Sequence, residues 1–302
     1  MSPFRAFSSS APEAKTRIQD KFSETALLTR SFGMTERQTA TSMGMFGTLQ
    51  ASDSPPTGAR GYRAYVVGDV HGRLDLLDRL LAGIADDVSA RPPSKTLLVF
   101  LGDLIDRGPS SKQVVERLRT YDRPDVRCVF ILGNHEEVLL RILDGDTSLI
   151  QSWLRFGGAQ SLKSYGVDPL EIAVLDDASA LAAIRAAIPT NHRKFLKSFV
   201  DTCRFGDYLF VHAGIRPGVS IDQQLQSDLR WIREPFLDDE TNHGCVVVHG
   251  HTISPVVEEH CNRIGIDTGA YRTGVLTALA LEGSQRWYLD TSEMTEAVPP
   301  AS

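Results

Sequence analysis

The amino-acid sequence predicts an α/β fold, because short apolar segments alternate with segments of helical spacing. Three times between residues 61 and 144, a strand-like apolar run ends in glycine and a polar residue and is followed by a helix-like pattern. Regular alternation of strands and helices is typical of sheets with partly parallel strands. A length of 302 residues with 42% hydrophobic residues is sufficient for one large domain.

The first three strands and helices follow from local patterns. The segments RAYVVGD, TLLVFLGD and VRCVFILGN, which begin at positions 63, 96 and 126, predict the strands. The helical spacing after the first strand is carried by Leu74, Leu77, Leu81, Ile84 and Val88. The segments SSKQVVERLRTY and HEEVLLRIL predict two further helices, and the first of these opens on two serines suited to N-capping.

The second half of the chain begins with helices and ends with strands. Residues 144–205 lack strand patterns and predict a helical insertion between two halves of the sheet. Strands return at YLFVHAG, CVVVHGHT, RIGIDTG, VLTALALEG and RWYL. Because they are closely spaced and lack long intervening helices, we expect an antiparallel meander here.

Residues at both ends are expected to lie outside the folded domain. Residues 1–60 are rich in Ser, Thr, Ala, Gly and Pro and predict a disordered N-terminal extension, with a short helix across residues 15–30. A mitochondrial transit peptide is the alternative, because the first 17 residues contain Arg and Ser but few acids. We expect the domain to cover residues 61–290 and a flexible tail to cover 291–302.

Composition restricts the class of protein. A net charge of −6 argues against a nucleic-acid partner, since phosphate backbones attract basic surfaces. No apolar run approaches the ~20 residues of a membrane span, so no membrane association is expected, and the N-terminus lacks a secretory pattern. The four cysteines form no C-x-x-C pair, which favours reduced thiols and a cytoplasmic location.

Polar residues suited to metal binding follow five of the predicted strands. In open α/β sheets, sites form beyond the carboxyl ends of the strands, so these side chains are expected to share one crevice. Their oxygen and nitrogen donors, without thiolate, suit Mn²⁺, Fe²⁺, Co²⁺ or Zn²⁺. An aspartate can also bridge two ions ~3.5–4 Å apart. The residues are Asp69, His71, Asp103, Asp106, Asn134, His135, His212 and His251, and Arg107 follows Asp106 on the same loop.

Each motif alone has a simpler explanation. G-D-x-H-G is a plausible turn, G-N-H-E a plausible helix start, and a single histidine after a strand is usually structural. All five in this order, each after an apolar strand, are not explained by turns. His249 is expected to support the site, and His192, His243 and His260 are expected to be structural or on the surface.

The motifs GDVHG, GDLIDRG, GNHE, HAG and HGHT, in this order between Tyr65 and Leu289, resemble those of the calcineurin-like metallophosphoesterases. Within that family they are similar to the phosphoprotein phosphatase branch, in its bacterial and phage serine/threonine form. The resemblance implies a four-layer α/β/β/α sandwich with a helical insertion and two divalent metal ions, Mn²⁺ foremost, with Fe, Zn, Co or Ni as alternatives. The first metal would bind Asp69, His71 and Asp103. The second would bind Asp103, Asn134, His212 and His251.

Two details indicate the branch. Many relatives carry a second histidine ligand two residues after the last metal histidine, but this chain has Ile253 there, as the phosphoprotein phosphatases do. Symmetrical diadenosine tetraphosphatases, which are close relatives, typically lack the second aspartate and have G-N-H-D. This chain has Asp106 and Glu136, and both favour the phosphatase side.

The resulting hypothesis is a dinuclear metal-dependent hydrolase of a phosphoprotein or a small phosphorylated substrate. A hydroxide shared by the two ions would attack phosphorus in line with the leaving oxygen. Arg107 and Arg233 would bind the phosphoryl oxygens, and His135, oriented by Asp106, would protonate the leaving group. Phosphoserine and phosphothreonine are the expected targets, with phosphotyrosine as an extension. The alternative enzyme is a symmetrical dinucleoside tetraphosphate (Ap4A) hydrolase, and a third possibility is a non-catalytic phosphate-sensing module.

Overall fold

The computed structural model describes residues 54–292, which form two five-stranded sheets and the helices that cover them. The strands are β1 (Tyr62–Val67), β2 (Lys95–Phe100), β3 (Val126–Phe130), β4 (Thr202–Phe205), β5 (Tyr208–Val211), β6 (Val246–His249), β7 (Glu258–Glu259), β8 (Arg263–Gly265), β9 (Thr277–Glu282) and β10 (Gln285–Asp290). The α-helices are α1 (Leu74–Ala90), α2 (Ser111–Arg119), α3 (Asn134–Asp144), α4 (Ile150–Trp153), α5 (Ala159–Ser164), α6 (Pro169–Ala173), α7 (Asp177–Ala187), α8 (Thr190–Leu196), α9 (Gln226–Trp231) and α10 (Ala270–Thr273).

Each sheet contains three parallel strands. The first sheet has the order β10-β9-β1-β2-β3, in which β1, β2 and β3 are parallel and β9 and β10 are antiparallel. The second has the order β4-β5-β6-β8-β7, in which β5, β6 and β8 are parallel and the edge strands are antiparallel. The predicted α/β class with partly parallel order is therefore confirmed.

The sheets pack face to face and are covered on their outer faces. Along β1, Ala64 and Val66 point into the core between the sheets, whereas Tyr65 and Val67 point into a core shared with the helices. This alternation follows from the two-residue period of a strand. A third apolar cluster, which includes Leu229 of α9, covers the second sheet. The four-layer arrangement expected from the resemblance is confirmed.

The predicted antiparallel meander is wrong. Among the five strands predicted for it, only β9 and β10 pair with each other in antiparallel order, and they extend the first sheet rather than the second. Parallel strands need a longer crossover, and the connection from β5 to β6 provides one that includes α9. This helix has only six residues, too few for its periodicity to be recognised in the sequence.

The helical segment between α3 and β4 comprises α4 to α8 and contains a π-helical turn at Leu154–Gly158. The last helix of this segment ends at Leu196. Strand β4 begins at Thr202, so the final residues of the predicted range 144–205 form a strand rather than a helix. Across the described part of the chain, no helix is both long enough and apolar enough to cross a membrane.

The ordered body extends slightly beyond the predicted boundaries. The backbone N–H of Gly58 donates to Gly283 O at 2.7 Å, and the N–H of Thr57 donates to the Asp207 carboxylate at 2.8 Å. At the other end, the buried Thr291 donates its N–H to Leu276 O. Residues 1–53 of the predicted N-terminal extension, which include the short helix and the alternative transit peptide, lie outside the described residues, as do residues 293–302 of the predicted tail.

The predicted capping of α2 by the serines at its start is not observed. Ser110 occupies the N-cap position, but its side chain makes no capping hydrogen bond. The hydroxyl of Ser111 instead accepts the backbone N–H of Asp106 at 3.0 Å. A residue that could cap the helix is thus used to shape the preceding loop.

Candidate metal centre

The predicted site residues lie where parallel strands of both sheets end. Asp69 and His71 follow β1, Asp103 follows β2 and Asn134 follows β3, all in the first sheet. From the second sheet, His212 follows β5 and His251 follows β6. Six strand-end side chains therefore meet at one edge of the sandwich, as expected for carboxyl ends of parallel strands.

The backbone around these residues is strained. Among residues 54–292, five residues other than glycine have positive φ angles, and all five are predicted site residues. Such conformations are rare for non-glycine residues, cost on the order of 1–3 kcal/mol each, and cluster at functional sites. The residues are His71 (45°), Asp103 (47°), Asp106 (70°), Arg107 (66°) and His251 (64°).

One donor set consists of His71, Asp103 and His135, all buried and with ligand atoms within 4.8 Å of one another. His71 donates through Nδ1 to Ile105 O at 2.8 Å, which leaves the Nε2 lone pair 3.5 Å from Asp103 Oδ2. Burial lowers the pKa of His71 well below its usual value, so the ring is held in the neutral form that binds metals.

A second donor set consists of Asp103, His212 and His251, with Asn134 beside it. His212 donates through Nδ1 to Leu101 O at 2.8 Å, so its Nε2 is an acceptor. This Nε2 nevertheless lies 2.9 Å from Asn134 Oδ1 and 3.5 Å from Asp103 Oδ1, two further acceptors. Acceptor atoms so close together could hold a cation between them.

The donor atoms fit divalent ions. Two ligands about 2.1 Å from one ion, at a right angle, are about 3.0 Å apart, and the contacts of Asn134 Oδ1 with His212 and with His251 Nδ1 are both 2.9 Å. Asp103 uses one oxygen toward each set, as a carboxylate shared by two ions would. The set of carboxylate, amide and imidazole donors suits Mn²⁺ and its neighbours.

Asp69 lies outside both donor sets. Its two oxygens accept the backbone N–H of His251 at 3.3 and 3.1 Å. Gly250 permits this approach, since a Cβ atom at that position would lie 2.1 Å from Asp69 Oδ1. The family resemblance implies Asp69, not His135, as the residue that joins His71 and Asp103.

His135 and Asp106 form the predicted pair. His135 Nδ1 donates to Asp106 Oδ2 at 2.7 Å, and its Nε2 lies 3.9 Å from Asp103 Oδ2. Burial lowers the pKa of His135, but the charge of Asp103 and the hydrogen bond with Asp106 outweigh it and raise the pKa to about 8. The imidazole is therefore poised to carry a proton near neutral pH.

Two residues of the helical segment, which the sequence did not identify, hold Asp106. Trp153 Nε1 donates to Asp106 Oδ2 at 3.0 Å, and Ser161 Oγ donates to Oδ1 at 2.5 Å. Both are buried. Both lie in the range 144–205, for which the sequence predicts only a helical insertion.

Glu136 is a further residue whose role the sequence did not show. Its fully buried carboxylate accepts the backbone N–H groups of Asp103, Leu104 and Ile105 at 2.9, 2.8 and 3.2 Å, and that of Gly133 at 3.2 Å. These bonds fix the loop that carries Asp103.

The two arginines differ in how firmly they are placed. Arg107 Nη1 donates to His71 Nε2 at 2.9 Å, its guanidinium lies 4.9 Å from the ring centre of Tyr271, and its backbone N–H donates to Gly157 O at 3.1 Å. Arg233 is exposed, and its charge contributes to lowering the pKa of His251. Both therefore lie near the donor sets, and Arg107 is held more tightly.

Comparison with known proteins gives one family. Residues 62–275 match the family described as calcineurin-like phosphoesterases. The asymmetrical bis(5'-nucleosyl)-tetraphosphatase PrpE of Anoxybacillus flavithermus is 28% identical over 239 residues, which are 71% of this chain and 88% of that protein. Serine/threonine-protein phosphatase 1 of Salmonella typhimurium is 29% identical over 233 residues, 74% of this chain and 94% of the relative.

Two further similarities are more limited. The symmetrical bis(5'-nucleosyl)-tetraphosphatase of Methylococcus capsulatus is 35% identical, but over 153 residues that are 51% of this chain and 43% of the relative. A solved structure provisionally described as a diadenosine tetraphosphatase superposes with a TM-score of 0.55 over 76% of this chain and 94% of that chain. At 22% identity, this likeness concerns the fold alone.

Proposed function

The chain belongs to the calcineurin-like phosphoesterase family, and from that membership we propose that it is a dinuclear metal-dependent phosphomonoesterase that acts on phosphoproteins. The proposed ligands are Asp69, His71 and Asp103 for one ion, and Asp103, Asn134, His212 and His251 for the other. Mn²⁺ is the proposed metal, because the donors are oxygen and imidazole nitrogen. Divalent ions in such a centre lower the pKa of water and offset phosphoryl charge.

The observation that carries the proposal is the 2.7 Å hydrogen bond between His135 and Asp106. The alkoxide of serine or threonine is a poor leaving group, so its release needs a proton from a general acid. A nucleotide leaves as a phosphate anion and needs this help far less. A histidine kept protonated by a buried carboxylate therefore supports a phosphomonoesterase over a dinucleotide hydrolase.

Arg107 and Arg233 are proposed to bind the phosphoryl oxygens. A guanidinium can donate two parallel N–H groups to two oxygens of one phosphoryl group. Arg107, which is held by Tyr271 and Gly157, would orient the phosphoryl group, and the exposed Arg233, whose charge acts on His251, would bind a further oxygen of it. The four cysteines, all within residues 54–292, are not joined in disulfides there, which supports a cytoplasmic location as part of the proposal.

A second candidate is the hydrolysis of dinucleoside tetraphosphates. Trp231 is 43% exposed beside the site, its Nε1 donates to Glu137 at 2.9 Å, and its ring lies 6.5 Å from that of His251. A pinned, exposed indole could stack on a nucleobase. The relative of Anoxybacillus flavithermus, which is named a tetraphosphatase, supports this candidate as well.

A parallel assay with Mn²⁺ distinguishes a phosphoprotein phosphatase from a dinucleoside tetraphosphate hydrolase. Phosphoserine, phosphothreonine and phosphotyrosine peptides and diadenosine tetraphosphate are compared by kcat/KM, with Asp103→Asn as the inactive control. We expect the phosphoserine and phosphothreonine peptides to be preferred, and the control to lose both metal and activity because both donor sets share Asp103. A preference for the dinucleotide would overturn the first proposal, and an Asp103→Asn variant that retained two metals would overturn the shared ligand.

A further inference from the structure

A sixth parallel strand also delivers a polar side chain to this edge. β8 pairs with β6 in parallel, and Gly265 lies opposite His249 in the register. Two residues beyond this pair, the chain reaches His251 after β6 and Asp267 after β8. Asp267 therefore leaves the second sheet at the same level as a proposed metal ligand, from the neighbouring strand.

Only one oxygen of the Asp267 carboxylate has a hydrogen-bond donor. The residue is 2% exposed, and Oδ1 accepts the backbone N–H of Gly269 at 2.9 Å. Oδ2 is buried, and no donor within residues 54–292 reaches it. An asparagine could accept the same N–H through its own Oδ1, so the turn does not explain why this residue is charged.

The chain before Asp267 packs against the chain before Asp69. A Cβ atom on Gly68 would lie 2.6 Å from Ile266 O, so the residues that precede the two aspartates are in direct contact. Both aspartates are 2% exposed. The charge of a buried carboxylate is costly unless a cation or a proton lies beside it, so the unpaired Oδ2 of Asp267 requires one of the two.

We propose that Asp267 is part of the metal centre, where it supplies an oxygen and a negative charge to the ion bound by Asp69 and His71. The inference rests on the proposed function, since it requires the two-ion centre. It assigns a role to an oxygen that the turn leaves unused, and it draws the ligands of this ion from both sheets. A proton shared between Asp69 and Asp267 is the structural alternative.

The test measures metal binding directly. The metal-free protein is titrated with Mn²⁺ by calorimetry, for the parent, Asp267→Asn and Asp267→Ser. We expect two bound ions in the parent and an affinity for one of them that falls about 10- to 100-fold in both neutral variants, as is usual when a residue that supports a metal site is lost. Glu258→Gln, at an exposed carboxylate on the neighbouring β7, should bind like the parent.

Thermal unfolding provides a second readout. Without metal, Asp267→Asn should melt at a higher temperature than the parent, because one of the mutually repelling carboxylates is gone. The rise in melting temperature that saturating Mn²⁺ produces should be smaller in Asp267→Asn than in the parent.

The outcomes distinguish the inference from the proposed function. A parent that binds two ions, with neutral variants that bind them equally well, overturns the role of Asp267 alone and favours the shared proton. A parent that binds no Mn²⁺ overturns both proposals. If Asp267→Asn does not fold, the calorimetry of Asp267→Ser decides by the same criterion.

Discussion

The carboxylate of Asp106 accepts hydrogen bonds from side chains of three separate helices. His135 belongs to α3, Trp153 to α4 and Ser161 to α5. Because both oxygens are occupied and the residue is fully buried, the carboxylate cannot turn away from the imidazole. At the scale of single residues, this fixes which nitrogen of His135 faces the donor sets.

Replacement of His135 by Asn should leave metal binding intact and reduce turnover of phosphoserine peptides by about 10²–10⁴-fold. Hydrolysis of p-nitrophenyl phosphate should fall much less, because this leaving group departs without a proton. Steady-state kinetics on both substrates, with metal content measured in parallel, check the prediction. Equal losses on both substrates would contradict a general-acid role.

The pH profile tests the partner of His135. A general acid must be protonated, so activity in the parent should decline as the pH rises through the His135 pKa of about 8. Asp106→Asn removes the charge that raises this pKa, so the alkaline limb should move to lower pH by about 1 unit. If the alkaline limb does not move, Asp106 does not set the pKa of the general acid.

The sequence could predict Asp106 and His135 but not the residues that hold them. The two motifs adjoin predicted strands, and their residue types indicate chemistry. Trp153 and Ser161 are 47 and 55 residues away from Asp106 along the chain. Nothing local distinguishes them from other residues of an amphipathic helix, so only the folded structure shows the contact.

At the scale of elements, the π-helical turn between α4 and α5 brings the backbone against the site. Gly157 within it has a φ of 123°, and its carbonyl accepts the N–H of Arg107. A Cβ atom at this position would lie 2.7 Å from Arg107 N and 2.8 Å from Arg107 Cγ. This position therefore requires glycine, both because its φ is positive and because a side chain would collide with Arg107.

Gly157→Ala should therefore displace Arg107, with a loss of stability of more than about 1 kcal/mol and a higher KM for phosphorylated substrates. Gly166→Ala is the matched control, because Gly166 also has positive φ (86°) but nothing lies within 4 Å of its would-be Cβ atom. Chemical denaturation and kinetics of both variants test this. Equal KM values in the two variants would argue against the contact with Arg107.

The hydrogen bonds from α4 and α5 can be tested one donor at a time. Trp153→Phe and Ser161→Ala each remove one donor to Asp106 and should reduce kcat for phosphoserine peptides by about 10-fold, because Asp106 is then held less firmly against His135. Ser152→Ala is the control for the serine variant, since its hydroxyl donates to Leu149 O within its own segment. Steady-state kinetics and melting temperatures of the variants check this. A lower melting temperature with an unchanged kcat would indicate a purely structural role.

Element types were more predictable than their arrangement. The first three strands and their helices have clear periodicity, and they form the expected parallel sheet. The later strands are as apolar and as closely spaced as the strands of a meander. Helix α9 is too short for its sequence pattern to indicate a crossover. Strand β9 joins the first sheet because it pairs with β1. The two strands are far apart in the sequence, so local patterns do not predict this pairing.

At the scale of the whole molecule, the centre draws on both sheets and buries several neutral histidines. Burial lowers the pKa of His249 to about 4, and burial together with His212 lowers the pKa of His251 to about 3. In the unfolded chain these groups titrate near 6.5. Since the folded pKa is the lower one, their contribution to stability is present above about pH 6.5 and is lost as the pH falls toward 4.

Protonation of His249 should therefore cost the metal-free protein about 2 kcal/mol of stability at pH 5. Buried carboxylates with a raised pKa, such as Glu136, contribute in the opposite direction over this range, so the parent is compared with a variant that lacks only the histidine. Relative to the parent, His249→Leu should gain melting temperature between pH 7 and pH 5. His260→Leu, at an exposed histidine, is the control. Melting curves in chelator at several pH values check this, and the same change with pH in His249→Leu as in the parent would contradict it.

The contacts of Trp153, Gly157 and Ser161 with the Asp106–Arg107 turn also bear on how such enzymes can diversify. A helical segment inserted between the strands of the two sheets looks suitable for exchange between relatives as a unit. Here that segment supports the proposed general acid and the arginine proposed to bind phosphate. Chimeras that swap it should stay active only when the donor brings an indole, a glycine and a hydroxyl at these three places, so new specificity has to arise around them.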